Sequence, residues 1–270
     1  MVITASIVTF HNSHNDLIKV INSFLNSSID GLLFVVDNSN NRSIESLIKS
    51  ERLIYIFNNA NLGFGKGHNI AIKKSKEKGS LFHFILNPDI EFEPYVLSRI
   101  IDKFSVCNEI GLIMPKILYP DGSIQHLRKL IPTPIDLFAR RFFPNKKWVE
   151  RHNEKYELRF LDYNIESEIP CLSGCFMAIR METLIEIGGF DERYFMYLED
   201  VDLCRRIGEK SKLIYFPDVS IIHNYEKGSY KNMKLLKYHI ISAIKYFNKW
   251  GWIIDKNRNK INSKILKKNY

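Results

Sequence analysis

Short apolar runs alternate with amphipathic segments through residues 3–117, and this alternation constrains the fold more than any other feature. Five runs have the length of strands: Ile3–Phe10, Leu32–Val36, Leu53–Phe57, Leu81–Leu86 and Ile110–Ile117. Their hydrophobicity is continuous rather than alternating, which indicates strands that are covered on both faces. The sequence therefore predicts an α/β fold with a mainly parallel sheet flanked by helices.

The later part of the chain is less regular. Residues 128–168 are basic, aromatic and interrupted by proline, which predicts loops with short helices. Strand character returns at Cys171–Ile179 and at the shorter runs Leu213–Phe216 and Val219–Ile222. Periodicity predicts helices at Asp16–Asn26, His68–Lys78, Pro94–Phe104, Met181–Ile187, Glu199–Glu209 and, with a basic-aromatic composition, Lys231–Trp250.

Charge and composition narrow the classes of partner. The 270 residues carry a formal net charge of +9, with the basic excess in 128–155 and 227–268. Such an excess suits nucleic acid, an anionic membrane surface or a phosphorylated substrate. No apolar run approaches the roughly 18–20 residues of a membrane-spanning helix. Met1–Phe10 has the pattern of a strand rather than of an export signal, and four cysteines without a CxxC pair are typical of a reducing cytoplasm.

Polar groups follow three consecutive predicted strands at the points where they end. Asp37 follows the second strand, the loop Asn58–Gly67 follows the third, and Asp89 follows the fourth. Ligands of open parallel sheets bind outside the carboxyl ends of the strands. The sequence therefore predicts a ligand site at this edge.

The glycine-rich stretch Asn61–Gly67 matches neither common phosphate-binding motif. It lacks the Gly-Lys-Ser/Thr ending of a P-loop, and the turn after the first strand has no glycine of a dinucleotide fingerprint. The stretch is either a mobile linker or a loop that lets a ligand approach the backbone, and its position beside two acids favours the second.

Asn87-Pro-Asp89 offers a carboxylate through which Mg²⁺ or Mn²⁺ would bridge to a nucleotide diphosphate. The alternative for Asp89 is a turn or a helix cap. His223, at the end of a predicted strand, is either a structural histidine or a ligand that completes such a site, for Mn²⁺ in particular.

Three acids crowd the start of a predicted helix: Glu199, Asp200 and Asp202. The helix dipole favours an acid there, so capping explains one of them but not three that repel one another. Beside the aromatic segment 194–197, such a carboxylate suits deprotonation of an acceptor hydroxyl. We expect Arg205 and Arg206 to pair with acids rather than to contact a substrate.

These motifs, taken in order, resemble glycosyltransferase family 2. The resemblance covers roughly Val2 to Tyr230 and is closest to bacterial O-antigen rhamnosyltransferases that act on lipid-linked acceptors. It lies in Asp37, Asn61–Gly67, Asn87-Pro-Asp89, Ser173-Gly174, Gly188–Asp191, Glu199–Asp202 and His223. It implies a GT-A fold and a glycosyltransferase domain over residues 1–228, followed by a basic amphipathic helical tail (229–270). The domain would consist of a nucleotide-binding half (1–120) and an acceptor and catalytic half (121–228).

The resemblance also implies roles for individual residues. Asp200 would be the catalytic base of an inverting transfer, and Asp89, with His223, would bind Mg²⁺ or Mn²⁺, although Asn87 stands where the metal motif of the family usually has its first acid. Asp37 would bind the nucleobase or ribose of the donor, dTDP-L-rhamnose. The donor-binding set is Thr9, His11, Asp37, Asn61, Gly63, Gly65, Asn87 and Asp89; the acceptor-binding set is Ser173, Gly174, Tyr197 and Glu199.

The basic tail has two interpretations. Its lysines and aromatic residues suit a helix on anionic lipid, near a glycan or polyprenyl-diphosphate-linked acceptor and so at the inner face of the cell membrane. Alternatively, the helix packs on the domain and exposes its lysines to water.

Other functions stay open: a family 2 enzyme that uses a UDP- or GDP-sugar, a sugar nucleotidyltransferase, and a nucleic-acid-binding protein. The nucleotidyltransferase lacks its glycine signature after the first strand. A nucleic-acid partner is disfavoured because it leaves the acidic cluster unexplained and no recognition module is present.

Overall fold

The computed structural model describes residues 2–142, 145–225 and 232–269, which include one nine-stranded sheet. The strand order is β3-β2-β1-β4-β8-β6-β9-β5, and β7 pairs with β9. The strands are β1 (Ile3–Thr9), β2 (Gly31–Asp37), β3 (Leu53–Phe57), β4 (Phe82–Leu86), β5 (Ile90–Phe92), β6 (Ile110–Leu118), β7 (Ser167–Glu168), β8 (Phe176–Arg180) and β9 (Lys212–His223).

Helices cover the sheet, as the continuous apolar runs predict. They are α1 (His14–Leu25), α2 (Phe64–Glu77), α3 (Val96–Val106), α4 (Pro134–Phe142), α5 (Lys146–Tyr156), α6 (Met181–Ile187), α7 (Glu199–Gly208), α8 (Met233–Trp250) and α9 (Lys256–Asn269). In β2, Leu33 and Val35 join the core that contains α1, whereas Phe34 and Val36 pack with Ala71 of α2. Both faces of this strand are therefore buried.

The sheet has a parallel half and a mixed half. β3, β2, β1 and β4 are mutually parallel, which confirms the α/β prediction for this half. Beyond them, β8 runs antiparallel to both β4 and β6, while β9 is parallel to β6. The two short strands predicted at 213–222 are one strand, β9, with a register shift opposite Pro115 and Lys116 of β6. β5, β7 and α9 were not predicted.

The glycine-rich stretch is partly helical. α2 begins at Phe64, four residues before the predicted start at His68, so Gly65 and Gly67 lie in its first turn. Gly63 precedes the helix with φ of +84°, a conformation that glycine adopts without steric cost. Gly67 packs against Val8 of β1, where a Cβ atom would come within 2.8 Å of both methyl groups.

Helix α8 packs on the domain through one face. Ala243, Tyr246 and Phe247 are buried in a second hydrophobic cluster with Tyr194 and Leu198. No helix in the described part of the chain is long and apolar enough to cross a membrane. The packing alternative therefore holds for this face, while the opposite face stays exposed.

Candidate active site

A cavity of about 980 Å³ opens at the predicted edge of the sheet. Thr9 is the last residue of β1, Asn87 and Asp89 follow the end of β4, and His223 is the last residue of β9. The ends of these three strands therefore bring the four side chains to one cavity. The cavity is lined by eleven residues of the predicted site: Thr9, Asn61, Gly63, Asn87, Asp89, Ser173, Gly174, Tyr197, Glu199, Asp200 and His223. His11, Asp37 and Gly65 lie outside the lining.

Asp37 is fully buried and lies outside the cavity lining. Its Oδ1 accepts a hydrogen bond from the backbone N–H of Ser39 at 2.9 Å, and its Oδ2 accepts one from the Tyr55 hydroxyl at 2.8 Å. Burial and the Asp37 carboxylate raise the pKa of Tyr55, so this hydroxyl stays a donor. The cavity is lined instead by the next residue, Asn38, whose amide donates to the Gly63 carbonyl at 3.1 Å.

The glycines of the 61–67 stretch allow close packing against neighbouring segments, and Gly63 also lines the cavity. A Cβ atom on Gly63 would clash with the Phe195 carbonyl, and one on Gly65 would lie 3.0 Å from the Cβ of Phe190. The backbone N–H of Phe64 donates to the same Phe195 carbonyl at 3.0 Å. The stretch is therefore fastened to the segment that leads into α7, and Gly65 has a structural role in this arrangement.

Asp89 and His223 form a pair on the cavity wall. The His223 Nε2 lies 3.4 Å from Asp89 Oδ1 and 3.3 Å from the Asn87 amide nitrogen, while its Nδ1 lies 3.0 Å from Gln125 Oε1. Burial opposes a charged imidazole, but the Cys175 thiol and the Asp89 carboxylate outweigh it and raise the pKa of His223 to about 10.

Once His223 Nε2 has lost its proton, this pair can supply a divalent cation with two ligands, a carboxylate oxygen and an imidazole nitrogen. Asp89 Oδ1 is buried and makes no hydrogen bond with any described residue, and Gln125 orients the ring so that Nε2 faces the carboxylate. Within the described residues, no three His, Cys, Asp or Glu side chains form a metal-binding group. A cation here would take its remaining ligands from diphosphate oxygens and water, as Mg²⁺ and Mn²⁺ do.

The three acids at the start of α7 have different environments. Asp200 lines the cavity, and its Oδ2 accepts a hydrogen bond from the backbone N–H of Gly174 at 3.0 Å. Asp202 is fully buried away from the cavity, with Arg206 at 2.7 Å, Lys249 at 2.6 Å and the Trp250 indole N–H at 2.8 Å. Arg205 pairs with Asp255, so both arginines bind acids as expected.

Glu199 has a third environment. Its carboxyl lines the cavity but is almost completely buried, and its Oε2 has no hydrogen-bond partner among the described residues. Burial, with the negative charge of Asp200 second, raises the pKa of Glu199 to about 8. The side chain is therefore largely protonated at neutral pH, beside a carboxylate that is open to the cavity.

The start of α7 depends on contacts with α8. Tyr197 and Leu198 both have left-handed backbone conformations, with φ of +71° and +66°, which cost roughly 1–2 kcal/mol per non-glycine residue. The Ser242 hydroxyl of α8 donates to the Met196 carbonyl at 2.8 Å, and the ring of His239 lies 5.0 Å from that of Tyr197. These contacts hold the backbone that aims Asp200 at the cavity.

One wall of the cavity consists of residues that were not predicted from the sequence. It comes from residues 119–129 and 157–159, including Gln125, His126, Lys129, Glu157 and Arg159. Residues 119–127 lie just before the basic, aromatic region and the others lie within it, and neither part has a periodicity that distinguishes them. Their position follows from the β6–β9 pairing and from an isolated bridge between Lys129 and Cys171.

Comparison with known proteins identifies the class that this fold and site define. The family model described as "Glycosyl transferase family 2" matches residues 6–188, and a second model, "N-terminal domain of galactosyltransferase", matches 154–234. The chain belongs to glycosyl transferase family 2.

Two curated relatives are rhamnosyltransferases. The N-acetylglucosaminyl-diphospho-decaprenol L-rhamnosyltransferase of Mycobacterium tuberculosis is 30% identical over 178 residues, which cover 61% of this chain and 56% of the relative. The chain thus spans little more than half the length of that protein. Rhamnosyltransferase WbbL of Escherichia coli is 24% identical over 268 residues, which cover 95% of this chain and 97% of the relative.

Solved structures confirm the GT-A glycosyltransferase fold. GalNAc-T7 with UDP, GalNAc and Mn²⁺ superposes with a TM-score of 0.63 at 16% identity, covering 90% of this chain and 47% of that one. The mannosyltransferase PcManGT of Pyrobaculum calidifontis, with GDP-Man and Mn²⁺, has a TM-score of 0.58 at 15% identity, covering 90% and 64%.

Proposed function

We propose that the chain is an inverting transferase that moves L-rhamnose from dTDP-L-rhamnose to a hydroxyl of a lipid-linked glycan, in the synthesis of bacterial cell-surface polysaccharide. The observation that carries the proposal is that Asp200 and the Asp89–His223 pair line one cavity. The names of both curated relatives support the sugar, and the name of the mycobacterial protein supports a polyprenyl-diphosphate acceptor.

The reaction is a single displacement. Asp200 accepts the proton of the acceptor hydroxyl, whose oxygen attacks the anomeric carbon from the face opposite the diphosphate. The bond from that carbon to the dTDP oxygen breaks, and dTDP leaves with the bonding electrons. The Gly174 N–H holds one carboxylate oxygen of Asp200, which orients the side chain without removing its capacity to take a proton.

Asp89 and His223 would hold Mg²⁺ or Mn²⁺, and a bound cation would offset the charge that develops on the departing diphosphate. The structures of two neighbours solved with Mn²⁺ support this assignment. Asn87, in place of an acid, contributes an amide beside His223 and no charge.

The donor nucleoside would bind across the ends of β1 and β2. Thr9, Asn61 and Asn38 line this side of the cavity, and His11 lies at its edge after β1. Asp37 would reach a base only after Tyr55 or Ser39 releases its carboxylate, because both oxygens are hydrogen-bonded and buried. Its role is therefore either to bind the base after such a movement or to position Asn38.

The acceptor would bind beside Ser173, Gly174, Tyr197 and Glu199, on the side of Asp200. A polyprenyl-linked acceptor places the reaction at the inner face of the bacterial cell membrane, with the protein cytoplasmic and peripherally bound. The basic C-terminal region, with lysines on both α8 and α9, supports this location.

One assay tests donor, acceptor and stereochemistry together. The purified protein is incubated with dTDP-L-rhamnose, a UDP-sugar or a GDP-sugar, a short polyprenyl-diphosphate-linked N-acetylglucosamine, and Mn²⁺ or Mg²⁺. We expect transfer from dTDP-L-rhamnose, with the anomeric configuration inverted in the product by NMR. Transfer only from another nucleotide sugar would overturn the donor assignment, and retained configuration would overturn the single displacement.

A further inference from the structure

The outer face of α8 and the turn after it expose a series of large apolar side chains. We call this series the outer stripe; it consists of Met233, Ile241, Ile244, Trp252, Ile253 and Ile254. Ile253 and Ile254 are 86% and 80% exposed, more than any other isoleucine in the described residues. Contiguous exposed apolar surface of this kind marks an interaction site in a soluble domain.

The members of the outer stripe lie on one side of the helix. Met233, Ile241 and Ile244 lie on the same side at helical spacing, and the exposed Lys237 lies between Met233 and Ile241 on that side. Asn248 lies one turn beyond Ile244 on the same side, and its Oδ1 accepts a hydrogen bond from the Trp252 indole N–H at 2.8 Å. The turn therefore continues the apolar surface of the helix.

Among the described residues, α8 contacts the domain through the other side of the helix. That side contacts residues 195–197, the catalytic segment that leads to Asp200. The Ser242 hydroxyl donates to the Met196 carbonyl. The ring of Tyr238 contacts that of Phe195, and the ring of His239 contacts that of Tyr197. The outer stripe is thus free to contact a second surface while the inner side keeps the active site in shape.

The turn is held rigidly in its exposed conformation. Arg258 is buried, and its guanidinium donates to the carbonyls of Trp252 and Ile253 at 3.5 and 3.1 Å. Asp255, at the start of α9, forms a buried ion pair with Arg205 at 2.8 Å. These contacts anchor both ends of the turn in the conformation that exposes the side chains of Ile253 and Ile254.

The charge around the outer stripe is almost entirely positive. Asp255 is the one acid in residues 232–267, and it is buried and paired. Basic residues of the same span include Lys234, Lys237, Lys256, Lys260 and Lys264, all exposed. Apolar side chains bordered by lysines match an anionic lipid surface, in which acyl chains lie beneath negatively charged headgroups.

We infer that the outer stripe lies on an anionic lipid bilayer, with Ile253 and Ile254 inserted at the level of the acyl chains and the flanking lysines at the headgroups. The inference deepens the proposed membrane location and rests on it. It assigns the contact to the outer side of α8 and to the turn, whereas the sequence alone left the whole helix available. Since the inner side of α8 contacts the catalytic segment, membrane binding would place the cavity next to the bilayer.

Vesicle flotation tests the inference without donor or acceptor, so its failure leaves the proposed transfer reaction standing. The full chain is floated with phosphatidylcholine vesicles that contain or lack phosphatidylglycerol. The variant is Ile253→Ser/Ile254→Ser, and the matched control is Val106→Ser, whose side chain is 81% exposed at the end of α3. Both variants should keep the wild-type unfolding midpoint, since the altered side chains are exposed.

We expect wild type and Val106→Ser to float with the anionic vesicles and much less with the neutral ones. The double variant should bind anionic vesicles at least about tenfold more weakly, because it lacks the two apolar side chains that would insert into the bilayer. Equal flotation of the double variant and wild type would overturn the inference, as would equal binding to both vesicle types. Concentration-dependent self-association without vesicles that the double variant abolishes would assign the outer stripe to a protein interface instead.

Discussion

On the proposed donor flank of the cavity, Thr9 ends β1, and Asn87 and Asp89 follow β4. On the proposed base flank, Asp200 is the second residue of a helix that follows two left-handed residues. The donor flank takes its geometry from β1 and β4, which lie side by side in the sheet. The base flank takes its geometry from α8, whose Ser242 bonds a carbonyl 46 residues earlier in the chain. The first flank is therefore a product of the sheet, and the second is a product of long-range packing.

Asp200 and Asp202 show this difference within a single helix turn. Asp200 has backbone hydrogen bonds and an open side toward the cavity, so it is available for chemistry. Asp202 is enclosed by Arg206, Lys249 and Trp250, the last two from α8, so it joins the catalytic helix to the C-terminal helix. Substitutions on the two flanks should therefore separate chemical from structural roles.

The largest effect is expected for Asp200→Asn. Loss of the base should lower kcat by about 10²–10⁴-fold, with unchanged donor affinity and unfolding midpoint. Steady-state kinetics and donor titration measure these quantities. A folded variant that binds donor and turns over near the wild-type rate would remove Asp200 from the mechanism.

Asp202→Asn should act on stability instead. Arg206 would lose its buried counter-charge, and Lys249 would keep only Asp191 as an acidic partner, which should lower the free energy of unfolding by about 3–5 kcal/mol. Urea denaturation measures the loss, and Glu209→Gln, at the exposed end of the same helix, serves as the control. If Asp202→Asn matched the control in stability but lost activity as Asp200→Asn does, the division of roles between the two acids would be wrong.

On the donor flank, Gln125→Leu tests the proposed metal pair. Gln125 orients His223 through Nδ1, and loss of such an outer contact typically weakens metal binding by about 10–100-fold. The Mn²⁺ concentration for half-maximal rate should rise by this factor, while donor binding in the presence of EDTA stays unchanged. An unaltered Mn²⁺ requirement would contradict the assignment of His223 as a ligand.

Glu199→Gln should change how stability depends on pH. Because burial and Asp200 raise the pKa of Glu199 from 4.5 to about 8, the folded protein keeps a proton that the unfolded chain releases between these values. Wild-type stability should therefore fall as pH rises through this window, and the variant should lack this contribution. The difference in unfolding free energy should grow by at most about 1.4 kcal/mol per pH unit. Parallel stability curves of the two proteins from pH 5 to 8 would contradict it.

Much of the fold could be predicted because it is encoded locally. The strands β1 to β4 and the helix Met181–Ile187 follow from short-range periodicity, and the ends of parallel strands predicted the site edge. The mixed half of the sheet was not predictable, since the antiparallel placement of β8 between β4 and β6 depends on partners far away in the chain. The wall at residues 119–129 and 157–159 was missed for the same reason.

The Glu199–Asp202 cluster shows both what the sequence is able to specify and what depends on the folded chain. The amino-acid pattern alone is sufficient to locate three acids at a helix start and, by resemblance, to select Asp200 as the base. Only the folded chain distinguishes them physically: one faces the cavity, one is buried and largely protonated, and one is neutralised by α8. Local patterns specify which groups are present, but burial and distant counter-charges decide their protonation and access, and those depend on the tertiary contacts.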